Sequence, residues 1–138
     1  MNILLFYVDN SLMGVPIDDI KEVGKKQRIR KIPRAPFYIR GYTKHRGNVY
    51  LVVGLPEMLK LNEEGHHLIF PSSIPDVCFV VGNIVGINNL NFYPKPDVLP
   101  MKYVKGFGEF NHEIAVIIDL EGLIKGKRIS KIRSMVKP

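Results

Sequence analysis

The apolar residues of this chain come in short runs, and Gly, Pro, Asn or Asp interrupts them roughly every 8–12 residues, the spacing of an all-β sequence. Ile3–Val8 is one run, Asp9-Asn10-Ser11 supplies turn chemistry, and Leu12–Ile17 is the next, which predicts a hairpin over residues 3–17. Asp18 and Asp19 predict a single capped helical turn leading into Ile20–Val23. Further strands are predicted at Arg28–Ile32, Tyr38–Thr43, Asn48–Val53, His67–Phe70, Val77–Val81, Ile84–Ile87, Tyr103–Phe110 and Ile114–Ile118. Most of these runs are too short and too β-branched for helices. Two body segments read as helical: Leu55–Leu61, with Pro56 in the first turn, and Leu120–Ile124, between Asp119 and Gly126. Ten prolines spread along the chain oppose long helices. The predicted class is all-β with small closed sheets and short helical turns.

A weak internal echo adds a second level of organisation. Arg40-Gly41-Tyr42 leads through Arg46-Gly47-Asn48 to the apolar strand Val49–Val53 and a helical turn. Lys105-Gly106-Phe107 leads through Asn111-His112-Glu113 to Ile114–Ile118 and another helical turn. Two similar small barrels are therefore predicted, one over about residues 11–64 and one over about residues 65–124 with the N-terminal strand added. Residues 125–138 read as a basic tail, in which Ile129, Ile132, Met135 and Val136 fall at helical spacing.

Composition narrows the class. A chain of 138 residues holds one domain, or two very small units sharing a core. At 46% hydrophobic and 24% charged it is neither disordered nor collagen-like. No stretch approaches the roughly 20 apolar residues of a membrane helix. The N-terminus lacks a basic segment before its apolar run and reads as a first strand, not a secretory signal. The single cysteine, Cys78, cannot form an intramolecular disulfide. A cytoplasmic protein is expected. Its net charge of +7 is local: residues 21–34 hold seven basic side chains and one acid, residues 125–138 hold six basic and none acidic, and the remainder is net negative. Such patches attract nucleic acid, anionic lipid or an acidic protein surface, or are simply solvated.

The catalytic inventory is thin. His66 and His67 are adjacent and would point to opposite faces of a strand, so only a loop would let them share a metal with Glu63 or Glu64. Cys78 sits in the apolar run VCFVV and reads as a small hydrophobe. Gly106-Phe107-Gly108 lacks the third glycine and following helix of a phosphate-binding loop. No enzyme, cofactor or metal is predicted. A small barrel binding single-stranded nucleic acid is the alternative, because Phe37, Tyr38, Tyr42 and Tyr50 interleave with Arg34, Arg40, Lys44 and Arg46.

The block Ile39-Arg40-Gly41-Tyr42-Thr43-Lys44-His45-Arg46-Gly47, followed by Val49–Leu55, resembles the signature of the CheW-like coupling domains of chemotaxis. The approach to it (Leu4-Leu5-Phe6, Gly14-Val15-Pro16-Ile17, Ile20, Glu22-Val23, Ile32-Pro33) and the second half (Tyr103–Gly106, then Ile114–Leu120) fit the same ordered series. The chain departs from that pattern at His45, Leu51 and Gly54, where leucine, proline and aspartate are usual. The resemblance implies two small five-stranded β-barrels packed on a shared hydrophobic core. It also implies a non-enzymatic adaptor linking chemoreceptor cytoplasmic tips to the regulatory domain of a CheA-type histidine kinase, in arrays at the inner face of the membrane. On this resemblance Glu22, Gly41, Arg46 and Gly47 belong to the receptor-binding groove, and Leu4, Ile17 and Ile20 to the edge that meets the kinase.

Overall fold

The structure, a computed structural model, describes residues 1–61, 65 and 67–125. Its elements in chain order are β1 (Asn2–Val8), β2 (Ser11–Pro16), β3 (Ile20–Lys25), β4 (Ile39–His45), β5 (Asn48–Gly54), α1 (Leu55–Met58), β6 (His67–Pro71), β7 (Val77–Val81), β8 (Ile84–Asn89), β9 (Phe92–Pro94), β10 (Val104–Phe110), β11 (Glu113–Ile118) and α2 (Leu120–Lys125). They form a six-stranded sheet in the order β8-β1-β2-β11-β10-β9 and a five-stranded sheet in the order β3-β6-β7-β5-β4. The two sheets repeat one plan. In each, an antiparallel hairpin (β1–β2 or β6–β7) meets the last strand of a second hairpin in parallel, β2 with β11 and β7 with β5. A short helix follows that last strand in both, which is the physical form of the echo seen in the sequence.

Strand by strand, alternate side chains serve two different cores. In β1, Leu4, Phe6 and Val8 enter the core shared by the two sheets, while Ile3 and Leu5 enter a cluster on the other face of their own sheet. In β7, Val77, Phe79 and Val81 face the shared core, and Cys78 and Val80 join Tyr50, Val52, Leu68 and Phe70 in the five-stranded sheet's own cluster. Strands buried on both faces must be apolar at every position, which is why ILLFYV and VCFVV show no alternation. At about 25 cal/mol per Å² of apolar area, such two-sided burial is the main stabilising contribution to the fold.

The hydrogen-bonded order has two free ends in each sheet, so the predicted closed barrels are not what the pairing gives. Connectivity nevertheless curls the larger sheet. β8 and β9 are its opposite edges, yet only Leu90 and Asn91 separate them. Three residue steps span at most about 11 Å, whereas six flat strands would spread over roughly 24 Å. The edges are drawn together by the chain without pairing.

Other differences from the sequence reading have local causes. Arg28–Ile32 is not a strand: Arg30 alone bridges to Tyr42, and Pro33 then ends the approach. β9, unforeseen because Tyr-Pro-Lys-Pro reads as a breaker, is an edge strand whose Pro94 has no N–H to pair. α1 stops at Met58 because Lys60 takes φ +57, closing the helix before Leu61. The turn at Ile17–Asp19 carries no side-chain cap; Asp19 instead accepts from Lys105 Nζ at 2.9 Å, tying the segment between β2 and β3 to β10. The sheets divide the chain into 2–16 plus 84–118 and 20–81, so β2 joins the N-terminal strand, and β6 and β7 join β3–β5. Residues 126–138, the predicted tail, lie outside the described residues.

Two glycines let a flanking segment lie against each curled sheet. Gly41 has φ +143, and a Cβ there would run into the Arg30 carbonyl; a Cβ on Gly106 would run into the Tyr93 carbonyl and come within 2.7 Å of the Phe92 ring. Gly41→Ala is therefore expected to lower stability by at least about 2 kcal/mol, from overpacking together with backbone strain. Gly47→Ala, at φ +80 with open space around it, should cost only about 1 kcal/mol. Urea unfolding of both variants checks the order, and equal losses would contradict the close packing at Gly41.

Candidate partner-binding site

The β4–β5 hairpin turns through Arg46-Gly47, both with positive φ (+51 and +80), between the paired residues His45 and Asn48. Two successive positive φ values define the tight hairpin turn that matches strand twist. Gly47 suits it; Arg46 occupies it at a cost of about 1 kcal/mol for a residue with a Cβ. The consequence is that the Arg46 side chain stands clear of the sheet, 73% exposed.

Glu22 reaches Arg46 from β3, the opposite edge of the same sheet. Arg46 Nε donates to Glu22 Oε1 and Oε2 at 3.1 and 3.2 Å, and Nη2 donates to Oε1 at 2.9 Å. This fork geometry is the strong form of an arginine–carboxylate pair. His45 adds a third nitrogen: its Nε2 lies 3.1 Å from Glu22 Oε2, at ion-pair distance but off the direction of a hydrogen bond. Its Nδ1 accepts from the Gln27 amide at 2.6 Å, which assigns the ring proton to Nε2, beside the carboxylate. The imidazole stacks on Phe70 (centroids 4.4 Å apart, planes at 23°), whose ring meets Tyr50 edge-on at 4.9 Å. β3 and β4 end the strand order without pairing with each other, and this cluster joins them through side chains.

The sequence prediction named Glu22 and Arg46, and the structure brings them together. Gly47 lies in the same turn. Gly41 is buried beneath Arg30, so its part is to shape β4 and it presents no surface. Leu4 is 3% exposed in the shared core, which closes it to any partner; Ile17 and Ile20 are half-buried against that core and keep an exposed side. His45 and Gln27 were not foreseen as site residues. The signal for His45 was its departure from the family pattern at the position next to Arg46.

Burial pushes the Cys78 thiol up to about 12, far from a reactive thiolate. Among the described residues no group of three His, Cys, Asp or Glu side chains is placed to hold a metal ion. His67 donates through Nδ1 to the Gly82 carbonyl at 3.2 Å, while His66, Glu63 and Glu64 lie outside the described residues. No described helix is long and apolar enough to cross a membrane.

Hydrogen bonds from Arg46, then the contact with His45, lower the Glu22 carboxyl from 4.5 to about 2. A depressed carboxylate contributes stability that is complete above its unfolded value and is lost as pH falls through the folded one. Glu22→Gln should therefore be less stable than the parent at neutral pH. The difference should shrink as pH drops from about 4.5 to about 2. Because the pair is exposed, the difference is small. Urea midpoints of both proteins across that range check the sign, and a gap that widens toward low pH would contradict the pairing.

Comparison with known proteins gives a consistent answer. The model of the CheW-like domain family matches residues 2–128. The chemotaxis protein CheW of Treponema pallidum is 20% identical over 148 residues, covering 96% of this chain and 87% of that protein. The chemotaxis protein CheW of Klebsiella aerogenes is 22% identical over 147 residues, covering 97% and 87%. The crystal structure of the scaffolding protein TtCheW from Thermoanaerobacter tengcongensis superposes with a TM-score of 0.81 at 25% identity, covering 91% of this chain and 94% of that one. Together with the two-sheet plan and the Arg-Gly turn, the match over nearly the whole chain establishes that this protein belongs to the CheW-like domain family.

Proposed function

We propose that this chain is a non-enzymatic adaptor that couples the cytoplasmic tips of chemoreceptors to the regulatory domain of a CheA-type histidine kinase. The observation that carries the reading is the Arg46 turn: a guanidinium held off the sheet by left-handed backbone and aligned by Glu22 from the far edge. A receptor tip is a helical hairpin on this reading, and its carboxylates would engage the exposed side of that guanidinium through parallel hydrogen bonds. Glu22 thereby acts as the positioning partner, and Gly47 allows the turn. Ile17 and Ile20, at the β2–β3 corner, supply the apolar contact for the kinase domain. Both surfaces lie on preformed elements, so binding needs little reorganisation and no chemistry. The work of such a protein is to hold two others at a fixed geometry, in the cytoplasm beneath the receptors.

Arg46→Ala tests the receptor surface. Truncating one member of an interfacial charge pair costs about 2–5 kcal/mol when the pair is buried by the partner. The same change on a free surface alters folding stability by no more than about 0.5 kcal/mol. Receptor-fragment affinity should therefore fall by tenfold or more, by roughly 1.4 kcal/mol per decade, with a urea midpoint no lower than that of Glu22→Gln, which breaks the same exposed pair. Unchanged affinity would remove Arg46 from the interface, and a stability loss well beyond that of Glu22→Gln would make it a structural residue of the turn.

A further inference from the structure

The most basic stretch of the body, residues 26–34, belongs to neither sheet. It runs along the outer edge of β4, where Arg30 exchanges backbone hydrogen bonds with Tyr42 (2.9 and 2.8 Å) and Thr43 Oγ1 donates to the Arg28 carbonyl at 2.8 Å. Ile29 and Ile32 line a cleft of about 410 Å³ with Ala35, Phe37 and Ile39. Phe37 is 70% exposed, and Lys31 and Arg34 contribute exposed charges to the same cleft. Arg40 also lines it, with its guanidinium held by Glu57 at 2.7 and 2.9 Å. The alternate residues Arg28 and Arg30 line a second cleft, about 330 Å³, with Tyr42 and Lys44.

Arg34 makes the arrangement more than a run of surface charge. Ile32–Ala35 is a turn closed by Ala35 N–H to the Ile32 carbonyl at 3.4 Å, with Pro33 second and Arg34 third at φ +61. That third position favours glycine. The chain thus holds an arginine in an unfavourable conformation where the cheapest residue would carry no charge, a pattern that marks functional positions.

We propose that the cleft between the 26–34 segment and β4 docks an extended acidic segment of a partner protein, with one apolar side chain of that segment entering beside Phe37 and its carboxylates meeting Lys31 and Arg34. This surface is distinct from the Arg46 turn and does not depend on the receptor assignment. The apolar lining selects the occupant. A single nucleic-acid strand needs a series of open aromatic faces, and here the exposed Phe37 stands edge-on to the buried Tyr38 (5.6 Å, 83°), while Tyr42 is half-buried in the other cleft. An anionic lipid surface would meet the cations and leave a concave apolar cleft unfilled. An acidic segment with an apolar anchor satisfies both features.

The test uses the full chain and two labelled probes: a short acidic peptide with a central Leu-Phe pair, and the same peptide with Ser-Ser in that place. Fluorescence anisotropy should show the anchored peptide binding roughly tenfold tighter, the gain from burying an apolar side chain. Phe37→Ala should remove most of that difference. Arg34→Gly should weaken the anchored peptide at least about threefold, the size of one exposed charge pair, while leaving the urea midpoint unchanged or higher. Equal binding of the two peptides overturns the proposal, as does an Arg34→Gly variant with parental affinity. Tighter binding of oligo-deoxythymidine, or of vesicles rich in phosphatidylserine, at the same salt would assign the patch to nucleic acid or membrane instead.

Discussion

Two residues, Leu90 and Asn91, connect the opposite edges of a six-stranded sheet, and that constraint shapes the molecule. A sheet whose edges must lie within about 11 Å of each other cannot be flat. Once curled, it has an inner face that packs on itself and an outer face that needs cover. The inner face is filled by Ile3, Leu5, Leu12, Leu90, Ala115 and Ile117. The outer face is covered by the five-stranded sheet, itself wrapped around Tyr50, Val52, Leu68, Phe70, Cys78 and Val80. Each sheet completes the other's burial, so neither half is expected to persist alone.

The smaller sheet curls as well, and its two edges come within side-chain reach of each other. β3 and β4 make no backbone ladder, yet Glu22, Gln27, His45 and Arg46 meet across the gap. Hydrogen bonding by side chains in place of backbone leaves charged groups at the seam, where a partner can reach them. The glycines act one step earlier: Gly41 and Gly106 occupy equivalent places before the hairpin turns, and each lets a preceding segment press against the strand. Register shifts at Ile39/Gly41 and Val104/Gly106 repeat the equivalence. A bulge of this kind bends its strand, which is what a curled sheet requires.

Much of this was legible in the residues because the two-faced burial writes itself as unbroken apolar runs. The hairpin over 3–17 and the strands at 48–53, 77–81 and 114–118 followed directly from those runs. Elements decided by tertiary contact were not legible: β9 exists because Gly106 and Gly108 leave room beside β10, and nothing in Phe-Tyr-Pro announces it. Closed barrels were inferred from the repeat, but pairing across the edges depends on distances that no local pattern encodes. At the site, Glu22 and Arg46 came from resemblance. Their contact spans two opposite sheet edges, and only the curl makes them neighbours.

On the proposed function, a rigid two-sheet body carries two protein partners at once. Sedimentation velocity of the full chain with a receptor-tip fragment and a kinase regulatory domain addresses it directly. One species containing all three proteins is expected, under conditions where the tip and the kinase domain do not sediment together by themselves. Two mutually exclusive pairwise complexes, or no complex with either protein, would contradict it.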